Sequence, residues 1–65
     1  MELQVPDMTC GHCSGVIERA VKDVDTRAIV DIDIATRTVR IESTRPANDF
    51  VSAIREAGYS ASVRA

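Results

Sequence analysis

Apolar residues recur along this chain with two different periods, and the order of those periods constrains the fold more than any other feature. Spacings of three and four residues, typical of one face of a helix, run from Gly11 to about Asp25 and from Pro46 to Gly58. Alternation of apolar and polar residues, typical of half-buried strands, occurs in four other segments: Leu3–Val5, Val30–Ile34, Val39–Ile41 and Tyr59–Val63. The sequence therefore predicts the element order βαββαβ.

This order is that of the ferredoxin-like α+β sandwich, in which two helices cover one face of a four-stranded antiparallel sheet. The chain has 65 residues, so we expect a single domain over residues 1–65. A domain of this size buries only about 60% of the surface that its unfolded chain exposes. A functional site is therefore expected on a loop or at the end of an element rather than in a deep cleft.

The second half of the chain contains residues with clear local signals. Pro46 fits the first position of the second helix, and Gly58 fits its C-terminal cap. Phe50 falls on the apolar side of that helix and is predicted to be a core residue. Ala35–Arg37 is predicted to form the turn between the two middle strands. In the last strand, Tyr59 is expected on the same face as the apolar residues that follow it at alternate positions.

Composition excludes several functional classes. The formal net charge is −2, there is no Trp, and Phe and Tyr occur once each, so there is no basic or aromatic surface for nucleic acid. No apolar stretch approaches the roughly 20 residues of a membrane-spanning helix. The N-terminus has no secretory pattern, so we expect a cytoplasmic protein. Thiols are kept reduced there, and a close pair of cysteines then indicates a metal or redox site rather than a structural disulfide.

The segment Met8-Thr9-Cys10-Gly11-His12-Cys13 carries the chemistry. Two cysteines separated by two residues can both reach one soft metal ion, and the start of a helix favours thiolate over thiol. Two thiolates suit Cu(I), which is content with two ligands, whereas Zn(II) usually takes four. An incoming cysteine from a partner could join as a third ligand before one of the first two leaves, so that copper is transferred without release. The segment therefore predicts a carrier of Cu(I).

Other readings of the same residues stay open at this point. His12 is a candidate third ligand, or the bridge of a metal-loaded dimer, although the residue before the second cysteine commonly points to solvent. The thioether of Met8 is a legitimate Cu(I) ligand, but packing is its more frequent role. A dithiol redox protein would use Cys10 and Cys13 as well.

The sequence resembles the heavy-metal-associated domain family, in particular its free-standing bacterial copper chaperones. The resemblance is carried by Met8–Cys13 and by Ala57-Gly58-Tyr59, and the element order agrees over the whole chain. It implies that Cys10 and Cys13 are the metal ligands, that Met8 packs beneath the loop, and that Tyr59 lies on a loop close to the metal, where it shields the ion and affects affinity and transfer. Asp7 departs from the family, which often has Gly at this position.

The resemblance also implies a partner and leaves alternatives. The family delivers Cu(I) to copper-transporting P-type ATPases, whose N-terminal domains often share this fold. The sequence contains no nucleophile–base pair, phosphate-cradling loop or cofactor fingerprint, so we expect a carrier and not an enzyme. It would be a monomer without metal, with a copper-bridged dimer as a further form. Another soft ion, Zn(II), Hg(II) or Ag(I), and a domain excised from a transporter are the alternatives.

Charged residues outside the motif have simpler interpretations. Asp31 and Asp33 form a solvated strand face without acid–base chemistry. The first helix presents Glu18, Arg19 and Lys22 as its nearest charged surface to the site, and these are candidates for partner docking.

Overall fold

The computed structural model describes residues 1–8 and 11–64. These residues form six elements: β1 (Glu2–Gln4), α1 (Gly11–Val24), β2 (Ile29–Asp33), β3 (Thr38–Glu42), α2 (Ala47–Glu56) and β4 (Ser62–Arg64). The βαββαβ order predicted from the sequence is confirmed.

The four strands form one sheet in the order β2-β3-β1-β4, and every neighbouring pair is antiparallel. Leu3 in the middle of β1 lies opposite Val39 of β3 on one side and Val63 of β4 on the other. The two helices pack on the sheet, so the ferredoxin-like α+β sandwich is confirmed. Because β1 and β2 run in the same direction, both end at the side of the molecule where α1 begins.

The core is built from aliphatic side chains around a single aromatic ring. Leu3, Val39 and Ile41 point from the sheet into it, and Phe50 enters from α2 as predicted; all four are fully buried. The remaining fully buried large side chains come from the segment after β1, from α1 and from α2: Val5, Met8, Ile17, Val21 and Ile54.

The other face of the sheet carries charged side chains in alternation across the strands. Asp31 lies opposite Arg40, Arg40 lies opposite Glu2, and Glu2 lies opposite Arg64. The Nε of Arg40 donates to Oε1 of Glu2 at 2.9 Å, and both side chains are exposed. Exposed pairs of this kind add little stability. They explain why this face of the sheet remains exposed to solvent.

Helix α1 buries one face and ends one residue earlier than predicted. Cys13, Ile17, Ala20 and Val21 are its buried residues, at spacings of one helical turn. The Nζ of Lys22 donates to the carbonyl oxygen of Ala28 at 2.6 Å. Lys22 therefore ties the last turn of α1 to the following loop instead of lying free in solvent.

The turn between β2 and β3 lies where the sequence predicted it. Oδ1 of Asp33 accepts hydrogen bonds from the backbone N–H of Ala35 at 3.0 Å and of Thr36 at 3.4 Å, which replaces the Asn-Gly type of signal. Arg37 takes a positive φ of 56°. Its carbonyl oxygen accepts from the N–H of Val5 at 2.9 Å, so this turn lies beside the end of β1.

The predicted start of α2 was wrong by one residue. Pro46 has φ −62° and ψ 146°, which is extended, so it is the N-cap and the helix begins at Ala47. The missing N–H of proline is tolerated at this position as well, because the first helical turn has no acceptor for it.

The predicted last strand was wrong at its start. The strand begins at Ser62, and Tyr59 belongs to the loop that follows α2. Ala61 is buried, whereas Val63 is 53% exposed because β4 is an edge strand. The alternating pattern in the sequence therefore begins before the strand does, because pairing with β1 begins only at Ser62.

Asp25 joins the two loops at the far end of α1, and its removal should weaken the fold in a pH-dependent way. Its carboxylate accepts from Oγ of Ser43 at 2.6 Å and from the N–H of Arg27 at 3.0 Å. The Ser43 hydrogen bond, followed by that of Arg27, holds the pKa of Asp25 below its ordinary value of 3.8. A lowered folded-state pKa contributes stability above the ordinary value, and this contribution disappears as the pH falls through the lowered one.

We therefore expect Asp25→Ala to lower the free energy of unfolding at pH 7, with the difference from wild type shrinking below about pH 4. Urea unfolding at several pH values measures this. An equal loss at pH 7 and pH 3 would mean that packing, and not the carboxylate charge, is responsible.

Neither helix within residues 1–8 and 11–64 combines the length and apolar character that crossing a bilayer requires.

Candidate metal centre

The cysteine segment lies between the end of β1 and the first turn of α1. The structure describes Met8 and Gly11–Cys13 from it; Thr9 and Cys10 lie outside the described residues. The predicted ligand Cys10 is therefore placed by the sequence alone, as the residue directly before the start of α1.

Cys13 is the third residue of α1, and its side chain is buried at 9% exposure, in the cluster that also contains Met8 and Ile17. The first turn of α1 contains no acidic residue, and the partial positive charge of the helix N-terminus lies at this end. The helix N-terminus favours the negative charge of a thiolate ligand, whereas burial among apolar side chains opposes it.

Met8 is held by the local backbone. Val5-Pro6-Asp7-Met8 forms a turn in which the N–H of Met8 donates to the carbonyl oxygen of Val5 at 3.0 Å. The turn directs the Met8 side chain into the core, where it is fully buried. This is the environment of a packing residue.

His12, by contrast, is exposed on the first turn of α1, next to the exposed Gly11. Oγ of Ser14 donates to the carbonyl oxygen of Gly11 at 2.6 Å. The outer side of this helix end is thus polar and accessible, while its inner side carries Cys13.

Tyr59 is placed by the way α2 ends. Gly58 follows the C-cap residue Ala57 with φ 100°, a conformation that favours glycine. The N–H of Gly58 donates to the carbonyl of Arg55 at 3.0 Å and the N–H of Tyr59 to that of Ile54 at 3.2 Å, which is a Schellman motif. Tyr59 consequently folds back and packs, half-buried, against the cluster that contains Met8 and Cys13.

Asp7 supplies a contact that the sequence did not predict. Both oxygens of its carboxylate accept from the backbone N–H of Ser60, at 3.1 Å for Oδ1 and 3.0 Å for Oδ2. The residue before Met8 is thereby joined to the residue after Tyr59. In the sequence, Asp7 stands out only as a departure from the family's usual glycine. No local pattern links positions that are 53 residues apart.

A ferredoxin-like sandwich with a Cys-x-x-Cys segment at the start of its first helix defines a class of small metal-binding domains. The model of the heavy-metal-associated domain matches residues 2–60. The chain belongs to this family.

Individual relatives agree with this assignment. The chain is 31% identical over 61 residues to the COP-associated protein of Helicobacter felis, which covers 91% of this chain and 92% of that protein. It superimposes on the copper chaperone Atx1 of Synechocystis with a TM-score of 0.92 at 31% identity, over 95% of this chain and 98% of the other. A gold-binding protein gives a TM-score of 0.90 at 33% identity over 94% of each chain. The chain is thus similar to copper chaperones of the Atx1 type, within a family of metal-binding domains.

Proposed function

We propose that this protein is a cytoplasmic carrier that binds Cu(I) through the thiolates of Cys10 and Cys13. The carrier passes the ion by ligand exchange to the N-terminal domain of a copper-transporting P-type ATPase. The observation that supports this most directly is the position of Cys13, in the first turn of α1 and packed into the same cluster as Met8 and Tyr59. The similarity to Atx1-type copper chaperones gives the choice of metal its second support.

The donor chemistry supports Cu(I) as the cargo. Two thiolates are soft ligands and satisfy Cu(I) without further donors, whereas Zn(II) usually takes four ligands. Cys13 lies in the first turn of α1, at the positive end of the helix dipole, and Cys10 is three residues before it in the sequence. The helix therefore offsets part of the negative charge that two thiolates bring to one ion.

The surroundings of Cys13 support transfer rather than permanent storage. Gly11 and His12 are exposed beside it, so a partner's cysteine has access to this end of α1. Glu18 and Arg19 are exposed on the same helix and are available for docking. Lys22 is less suited to docking than we expected, because its ammonium group is held by the carbonyl oxygen of Ala28.

The neighbouring residues take supporting parts in this proposal. Met8 packs beneath the cysteine segment, and Tyr59 shields the bound ion from water. His12 tunes affinity or transfer from the exposed side without being a required ligand. Residues 1–65 act as one carrier domain, and the protein catalyses no reaction.

An anaerobic titration of the reduced protein with Cu(I) against a chromophoric chelator, with a parallel competition by Zn(II), tests the proposal. We expect tight uptake of about one Cu(I) per chain, since one pair of thiolates binds one ion, with Cu(I) strongly preferred over Zn(II). A clear preference for Zn(II) would assign the domain to another metal. Weak binding of both ions, together with rapid attack on a model disulfide, would identify a dithiol redox protein instead.

A further inference from the structure

The contact between Asp7 and Ser60 joins two loops that local structure alone would leave independent. The carboxylate of Asp7 accepts from the Ser60 N–H with both oxygens, at 3.1 and 3.0 Å. A hydrogen bond to an ionised acceptor is stronger than one between neutral groups. Both residues are exposed, so the contact contributes little to the burial of the core and its effect is mainly on position.

On one side of this contact, Asp7 is part of a firmly held turn. The N–H of Val5 donates to the carbonyl of Arg37 at 2.9 Å, and the N–H of Met8 donates to the carbonyl of Val5 at 3.0 Å. The side chains of Val5 and Met8 are fully buried on either side of the turn. The backbone that carries the Asp7 carboxylate is therefore held in place, three residues before Cys10 in the sequence.

On the other side, the loop after α2 is held at its two ends. Tyr59 is fixed by the Schellman motif, through its N–H on the carbonyl of Ile54. Ala61 is buried, and its carbonyl oxygen accepts from Nη2 of Arg55 at 3.0 Å. Ser60 lies between these points, and its N–H is the group that binds this loop to Asp7, directly before the cysteine segment.

We propose that Asp7 is a positioning residue. It holds the loop that contains Tyr59 and Ser60 against the start of the cysteine segment, and thereby slows the loss of bound Cu(I). The second part of this proposal rests on the proposed function. A carboxylate can perform this task where glycine cannot, because glycine offers no side-chain acceptor to the Ser60 N–H. The departure of Asp7 from the family's usual residue then has a specific consequence for this chain.

The first test uses Tyr59 as its own reporter, without metal. The chain has one Tyr and no Trp, so its tyrosine fluorescence comes from this loop alone. Water competes for both groups of this exposed contact, so its loss corresponds to the range of an ordinary hydrogen bond, a shift of about 2- to 12-fold in the population of the docked loop. We therefore expect Asp7→Ala to increase the quenching of Tyr59 by acrylamide, and Asp7→Asn, which keeps one acceptor oxygen, to restore most of the protection.

The matched control is Asp25→Ala. Asp25 also accepts a backbone N–H and joins two loops, but it follows the last residue of α1, about 20 Å from the start of that 14-residue helix. This variant should leave the quenching of Tyr59 unchanged as long as circular dichroism shows it to be folded. Equal quenching changes in Asp7→Ala and Asp25→Ala would mean a general loss of stability and would overturn the proposal.

The second test measures the rate at which Cu(I) passes from the loaded protein to an excess of bathocuproine disulfonate. We expect Asp7→Ala to raise this rate by about 2- to 12-fold, by the same hydrogen-bond arithmetic, with Asp7→Asn close to wild type. An unchanged rate in Asp7→Ala would refute the effect of Asp7 on the metal. If the wild type took up no Cu(I), the proposed function would fail and the metal part of this proposal with it. The fluorescence of the metal-free variants would still decide whether Asp7 holds the loop.

Discussion

Replacement of either cysteine by serine, Cys10→Ser or Cys13→Ser, should abolish tight binding of Cu(I). A two-coordinate ion that loses one thiolate is left with a single soft ligand, and a serine hydroxyl is a poor substitute for it. Changes around metal ligands typically cost 10- to 100-fold in affinity, so loss of a ligand should cost more than about 100-fold. Anaerobic competition against a chromophoric Cu(I) chelator measures the affinity directly.

His12→Ala is the matched control, because it changes the exposed residue between the two cysteines. We expect a change of no more than about 10-fold in affinity, the lower end of the range for residues that surround a metal site. Circular dichroism should show that all three variants are folded. Uptake of one Cu(I) at wild-type affinity by Cys13→Ser would contradict the two-thiolate site, and a loss in His12→Ala as large as in the cysteine variants would make His12 a ligand.

Phe50→Ala should cost most of the stability of the fold. Phe50 is the only Phe in the chain and is fully buried where α2 meets the sheet. Truncation of a buried Phe to Ala costs about 3–5 kcal/mol, through lost apolar burial and the cavity that is left. A domain of 65 residues has a total free energy of unfolding of only about 3–10 kcal/mol at the usual stability per residue. Urea unfolding followed by circular dichroism should show a variant that is largely unfolded or close to it.

Val63→Ala provides the comparison for this prediction. Val63 is also apolar and lies opposite Leu3 in the sheet, but it is 53% exposed on an edge strand. Its truncation should cost less than about 1 kcal/mol, since surface substitutions away from special features stay near ±0.5 kcal/mol. Similar losses in Phe50→Ala and Val63→Ala would show that the core is not centred on Phe50.

Much of the fold was predictable because its signals are local. The spacing of Ile17 and Val21 in α1 and the alternation of Val39 with Ile41 in β3 each follow from the geometry of a single element. Errors occurred at element ends, where several residues were compatible with two conformations. Pro46 suits the N-cap as well as the first helical position, and only its ψ of 146° distinguishes them.

In the candidate site, too, the positions of some residues were predictable from local signals and those of others were not. The positions of Cys13 and His12 in the first turn of α1 followed from the start of the helical period at Gly11. The loop position of Tyr59 was implied only by the resemblance to the family, because the alternation of Tyr59 with Ala61 by itself resembled a strand. A Schellman motif at Gly58, with φ 100°, instead turns Tyr59 back onto the core.

The sequence by itself thus determined the order of the elements, the apolar face of each and the cysteine segment at the start of α1. These properties depend on periods of two and 3.6 residues and on neighbours along the chain. The tertiary structure decided which loops meet: the turn at Arg37 beside Val5, and Asp7 on the N–H of Ser60. Contacts such as these depend on how the sheet pairs and how the helices cover it. They join residues that are far apart in the sequence, where no local pattern relates one position to the other.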